Sequence, residues 1–208
     1  MSERSRRQFV SLGLGLGAVA LVGCSDEGQA VDPNDEIFEG ACSPLPNEGT
    51  CTVTNEDIEG PYYQPSAPER SDLDTVGDEG VALTLSGVVH DASCTPLPGA
   101  RVEIWHANPE GAYDNSPTGH YRGWVACDDE GRYTFTTLVP GRYLNGDDYR
   151  PSHIHMKVWV GDAERLTTQV YFADDPYLDA DPWAEPSRTV CLEEDGAGVA
   201  AIFDVTLA

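Results

Sequence analysis

From residue 81 onward the chain is a succession of short β-rich runs broken by clusters of Gly, Pro and Asp. Val81–His90, Ala100–His106, Gly123–Ala126, Arg132–Leu138, His153–Val160, Leu166–Phe172 and Ala200–Leu207 each have strand length and strand composition. Nothing after the first two dozen residues keeps a helical repeat, so a helical bundle is excluded. Strands at this spacing point to an all-β fold, an antiparallel sandwich or barrel, and we expect the β-sandwich with long loops. A short helix after Asp174 is compatible with the pattern, but the prolines there rule out a long one. The 21 Gly and 15 Pro fit a protein rich in turns.

Charge narrows the partners. With 36 acidic against 12 basic residues the net charge is −24, a surface that repels nucleic acid and anionic membrane faces. The plain reading of the excess is a solvated acidic surface, suited to a salty medium.

The N-terminus reads as an address. Three arginines precede an apolar, Gly-rich stretch from Phe9 to Gly23, too short for a membrane span. Ser5-Arg6-Arg7-Gln8-Phe9-Val10 resembles a twin-arginine export signal, and Leu21-Val22-Gly23-Cys24 resembles a lipobox that would acylate Cys24. The expected organisation is a signal peptide over 1–23, an acidic tether over 24–50, and a β-sandwich domain over 51–208. The expected location is the cell envelope, with the membrane touched through the lipid anchor alone. Cys42, Cys51, Cys94, Cys127 and Cys191 then remain, and export permits disulfides. A Cys42–Cys51 loop is the first expectation; an odd count leaves at least one thiol unpaired or paired elsewhere.

On strands alone the function stays open. The fragment GVVHDASCTPLPGARVEI, continued by DDEGRYTFTTLVPGRY, resembles transthyretin-like modules that serve as non-catalytic, surface-anchored appendages. Arg150-Pro151-Ser152-His153-Ile154-His155 adds chemistry. Residues i and i+2 of a strand share a face, about 6–7 Å apart, so His153 and His155 can converge on one metal. Tyr113, in Asn108-Pro109-Glu110-Gly111-Ala112-Tyr113, and Tyr143, in Val139-Pro140-Gly141-Arg142-Tyr143, lie in loops that can join them. Phenolate is an anionic oxygen donor, suited to a hard ferric ion.

Separated motifs now act together. Ile58-Glu59-Gly60-Pro61-Tyr62-Tyr63, Val102-Glu103-Ile104-Trp105-His106-Ala107-Asn108, Arg150–His155 and Leu166-Thr167-Thr168-Gln169-Val170-Tyr171-Phe172 resemble the intradiol ring-cleavage dioxygenases, the catechol and protocatechuate dioxygenase family. The resemblance runs from about residue 56 to 207 with the motifs in the family's order.

It implies one Fe(III) per chain bound by Tyr113, Tyr143, His153 and His155. Tyr143 and His155 would be axial, Tyr113 and His153 equatorial. It implies that Arg150 stabilises charge developing on the substrate ring, that Gln169 lies beside it, and that Tyr62 lines the substrate pocket. Tyr143 would also accept a substrate proton. The implied reaction inserts both atoms of O2 into a catechol-type aromatic, cutting between its oxygenated carbons to give a muconate-type diacid. A homo-oligomer is compatible with the resemblance. Departures are three: Leu144 follows Tyr143 where protocatechuate enzymes carry proline, Arg150 follows Tyr143 by only seven positions, which suggests a trimmed loop, and the helical region through which catechol dioxygenases dimerise has no counterpart in the expected organisation. A cupin-like iron(II) site would need a carboxylate and commonly a further histidine on later strands, yet no histidine follows His155.

Overall fold

The computed structural model describes residues 51–116 and 119–208. The strands are β1 (Ala82–Asp91), β2 (Arg101–Trp105), β3 (Arg122–Ala126), β4 (Arg132–Leu138), β5 (Tyr143–Asn145), β6 (Asp148–Arg150), β7 (His153–Val160), β8 (Ala163–Phe172), β9 (Thr189–Val190), β10 (Glu193–Asp195), β11 (Gly198–Ile202) and β12 (Val205–Leu207). One five-stranded sheet has the order β10-β11-β1-β12, with β4 on the other edge of β1; the second has the order β3-β2-β7-β8-β9. The hairpin β5-β6 stands apart as a small sheet of its own.

Alternation explains the layers. Leu83, Leu85 and Val89 of β1 and Phe135 of β4 face Val102, Ile104, Ile154, Met156, Val158, Val170 and Phe172 of the second sheet, and together they form one buried core. Fully burying side chains of this size contributes about 1.5–3 kcal/mol each before conformational entropy is charged against it. The all-β sandwich expected from the sequence is observed. Most pairings are antiparallel, but β1–β11, β1–β12 and β8–β9 are parallel. The run Ala200–Leu207 divides into β11 and β12. At the break the Asp204 carboxylate accepts the backbone N–H of Val88, taking a ladder position on β1. The expected helix after Asp174 reduces to two three-residue 3-10 turns, Leu178–Ala180 and Pro186–Arg188.

The second sheet is buried on both faces. His153, His155 and Lys157 point away from the core, yet each is almost fully buried. The extended segment 54–70 crosses that face. Asp57 N–H donates to the Thr167 carbonyl, Gln169 Nε2 donates to the Ile58 carbonyl, and Trp124 N–H donates to the Pro68 carbonyl. Cys51, three residues before this segment, is bonded to Cys94 in the turn after β1. The expected Cys42–Cys51 loop is therefore corrected: the crossing segment carries Cys51 to a distant turn instead of back to its neighbour. Cys191 is also disulfide-bonded, and Cys127 is a free, buried thiol.

Cys24 and the expected signal and tether lie outside the described residues. The lipid-anchored envelope location expected from them is corrected. The described residues form paired strands and three-residue helical turns, and no helix among them is long and apolar enough to cross a membrane.

Candidate metal centre

β7 supplies two imidazoles on one face. His155 stands opposite Trp105 of β2 and Gln169 of β8, and His153 stands opposite Tyr171. Trp105 stacks on the His155 ring at 4.9 Å with only 6° between planes, which fixes the ring's orientation. The His153 Nδ1–H donates to the Pro151 carbonyl at 2.7 Å, leaving Nε2 with its lone pair. Both Nε2 atoms converge on one oxygen: the Tyr113 hydroxyl lies 3.3 Å from that of His153 and 3.1 Å from that of His155.

The two tyrosines arrive on loops that must touch. Asn108 organises the first, its side-chain oxygen accepting the Ala112 N–H and its carbonyl accepting the N–H groups of Gly111 and Gly141. A Cβ on Gly141 would sit 2.1 Å from the Pro109 carbonyl oxygen, so only glycine lets these loops close. Tyr113 and Tyr143 then meet edge to face at 5.5 Å, and Tyr62 stacks on Tyr113 at 4.2 Å. Tyr143 begins β5, and its ring is 5.6 Å from that of His153.

Arg150 ends β6 directly across the hairpin from Tyr143. Its Nε donates to Asp181 Oδ2 at 2.7 Å, and its Nη2 donates to Gln169 Oε1 and the Tyr171 hydroxyl at 3.2 and 3.1 Å. Trp183 covers the guanidinium at 4.6 Å. Asp57 accepts from the Tyr171 hydroxyl and from Arg188, continuing the network behind the site. A second buried pair, Arg142 with Asp175 at 2.8 Å, adjoins the same base of the hairpin, one residue before Tyr143, and Asp175 also accepts the Ser152 N–H.

Burial dominates the electrostatics. It pushes the His153 pKa down to about 3, with Arg150 acting in the same direction, and drives His155 well below the usual imidazole range. Both rings are thus neutral, as ligands must be. Burial raises the Tyr113 hydroxyl well above the ordinary phenol value, with Tyr143 adding to it, and burial also raises Tyr143 against the pull of Arg150. Phenolate at either residue therefore requires a cation at the site. For Arg150, burial opposes the charge, but Asp181 and neighbouring hydroxyls outweigh it and hold the guanidinium firmly protonated.

Two observations fit these residues to a metal. Nδ1 of His155 is buried with no hydrogen-bond partner among the described residues, so this ring touches little that is polar except the other candidate donors. The donor set itself, two imidazole nitrogens and two phenol oxygens, suits a hard trivalent ion. Among the described residues no group of three or more His, Cys, Asp or Glu is placed to hold a metal.

Of the expected site residues, Tyr62, Tyr113, Tyr143, Arg150, His153, His155 and Gln169 are all brought together. A pocket of about 430 Å³ opens beside them, lined by Tyr62, Tyr113 and Tyr143 and by Glu110, Leu144 and Tyr149 at its rim. Asp181, Asp57 and Asp175 escaped the sequence reading, since a lone acid in a loop carries no spacing signal. Tyr171 was within reach, two residues beyond Gln169 on the same strand face.

Comparison with known proteins agrees. Residues 58–197 match a family model described as dioxygenase. The chain belongs to the intradiol ring-cleavage dioxygenase family. It is 31% identical over 197 residues to catechol 1,2-dioxygenase of Acinetobacter baylyi, covering 76% of this chain and 63% of that one. The dioxygenase domain of a dioxygenase carbohydrate-binding protein fusion from Streptomyces sp. SirexAA-E superposes with a TM-score of 0.69 at 36% identity. That match covers 75% of this chain and 98% of the Streptomyces domain. 3-Chlorocatechol 1,2-dioxygenase of Rhodococcus opacus superposes with a TM-score of 0.68 at 26% identity, over 74% and 72% of the two chains. This chain spans less than two thirds of the length of the Acinetobacter enzyme.

Proposed function

We propose that this intradiol family member cleaves catechol-type aromatics between their two hydroxyl-bearing carbons, using O2 and one ferric ion per chain. Tyr113, Tyr143, His153 and His155 would hold the ion. The observation that carries the reading is the convergence of both imidazole Nε2 atoms on Tyr113, with Tyr143 alongside and Arg150 facing it. A ferric ion bound there would act as Lewis acid and template, making a chelated catechol susceptible to O2.

The chain's own residues do the rest. Tyr62, stacked on Tyr113, walls the pocket and orients an aromatic ring. As a phenolate, Tyr143 would accept a proton from the incoming diol and become the neutral phenol. Arg150, charged at any working pH, stabilises negative charge building on the ring, and Gln169 keeps its guanidinium in place. The resemblance in extent to the Streptomyces dioxygenase domain supports an enzyme over a non-catalytic appendage.

Metal loading tests the proposal. The purified protein should take up about one iron per chain and show a phenolate-to-iron absorption band that shifts when catechol is added anaerobically. Tyr113→Phe and Tyr143→Phe should each weaken the band. A folded, colourless protein that refuses ferric iron would refute the assignment.

A further inference from the structure

The rim of the pocket has chemistry that the ligand set does not use. Leu144 and Tyr149 stand directly opposite each other across the β5-β6 hairpin, and both line the pocket that Tyr113 and Tyr143 floor. Leu144 is 56% exposed and Tyr149 38% exposed, in a chain whose net charge is −24. They do not serve the core. Tyr149 is steadied by Tyr177, ring to ring at 5.2 Å, so half of this apolar pair is pre-positioned. Glu110, exposed, completes the rim with a negative charge. The two arginines nearby already hold buried aspartates, Arg142 with Asp175 and Arg150 with Asp181.

Size points the same way. The pocket's volume of about 430 Å³ falls within the range of about 300–1,000 Å³ that accommodates drug-sized ligands, more than one ring with two hydroxyls would fill. Tyr113 and Tyr143 share this one cavity with Leu144, Tyr149 and Glu110, so the ring of a diol held at the two tyrosines would have the far edge available to the rim. A substituent there meets Leu144 and Tyr149 and lies near Glu110.

We infer that the preferred substrates are catechols bearing a bulky, uncharged, apolar substituent remote from the diol, with Leu144, Tyr149 and Glu110 as the residues that select them. This rests on the ring-cleavage reading above. An apolar extension removes the exposed faces of Leu144 and Tyr149 from water. A carboxylate in the same position would face Glu110, while Arg142, which also lines the pocket, already holds the buried Asp175, so desolvating a further anion there is unfavourable.

The test compares catechol, 4-phenylcatechol and protocatechuate as substrates of the iron-loaded full chain, with anaerobic calorimetric binding of each. 4-Phenylcatechol should have the highest kcat/KM and bind most tightly, and protocatechuate should fall at least about tenfold below catechol. In Leu144→Ser and in Tyr149→Ser, the ratio of kcat/KM for 4-phenylcatechol to that for catechol should drop about fivefold to tenfold, with the same trend in binding. Glu110→Gln should narrow the gap between protocatechuate and catechol. Cleavage of catechol with no advantage for 4-phenylcatechol, or a ratio unmoved by both rim variants, overturns this inference while leaving the ring-cleavage reading intact. Failure to cleave any of the three by the iron-loaded chain overturns that reading and this inference with it.

Discussion

Arg150 and Tyr143 face each other at the base of a two-stranded hairpin, so the guanidinium and the candidate phenolate are set by one register. The guanidinium's direction is set from outside the hairpin. Asp181 takes two of its N–H groups, and the same carboxylate is oriented by the backbone N–H groups of Trp183 and Ala184. Arg150→Ala should keep iron and colour, because the side chain is not a ligand. It should reduce kcat far more than it weakens anaerobic catechol binding, since it serves charge that develops during the reaction. Loss of iron together with activity would mark Arg150 as scaffold instead.

Asp181 predicts a different pattern. Its side chain is 1% exposed and pairs with an arginine that is 5% exposed. Removing one partner of a buried pair costs about 3–5 kcal/mol, because the other charge is left uncompensated. Asp181→Asn should therefore lower the melting temperature as well as kcat, and Asp181→Asn combined with Arg150→Met should recover much of the stability without the activity. A double variant no more stable than Asp181→Asn would contradict the pairing argument.

Gly60 is where the crossing segment meets the metal site. Its φ is +74°, and a Cβ there would lie 3.0 Å from Cε1 of His155. Gly60→Ala forces a left-handed conformation costing about 1–2 kcal/mol and pushes on a candidate ligand. The expected result is weaker iron retention in a chelator titration, beyond what the fall in melting temperature explains. Unchanged retention would show that His155 does not depend on this contact.

Much of this was legible in the sequence, for identifiable reasons. β4 and β7 occur over Arg132–Leu138 and His153–Val160 as expected, since both alternate or run apolar between clear turn signals. The His-x-His pair shares a face because strand geometry leaves no other arrangement. The β5-β6 hairpin is hard to read from the sequence although Gly146-Asp147 forms its two-residue turn, because the flanking strands are only three residues each. The parallel pairing of β1 with β11 and β12 joins segments more than a hundred positions apart, which no local pattern encodes. The Asp181 and Asp175 clamps were hidden for the same reason: their meaning lies in the arginines that the fold brings to them. Cys51 chose Cys94 over Cys42 because the segment after it lies across the sandwich.

The metal-free protein should become less stable in acid through its buried histidines. Burial lowers the His153 pKa to about 3 and the His106 pKa to about 4, while unfolding restores both toward the ordinary imidazole value. The unfolded chain then binds more protons between about pH 3 and pH 6.5, so stability rises with pH across that window. Denaturant midpoints measured from pH 4 to 7 on the iron-free protein should increase steadily. His153→Asn should reduce the slope without abolishing it, since His106 and His155 remain; an unchanged slope would assign the effect elsewhere.

Where the ring is cut tests the central claim most directly. An iron(II) site with two histidines and a carboxylate activates dioxygen at the metal and cuts beside the diol. Ferric iron held by two phenolates is suited to activating the catechol itself, and so to cutting between the oxygenated carbons. The iron-loaded protein should be given catechol under isotopically labelled O2 and the product read by mass and ultraviolet spectrum. A muconate-type diacid carrying oxygen from labelled O2 is the result expected from Tyr113, Tyr143, His153 and His155. A yellow semialdehyde would contradict the account, even from an active iron dioxygenase.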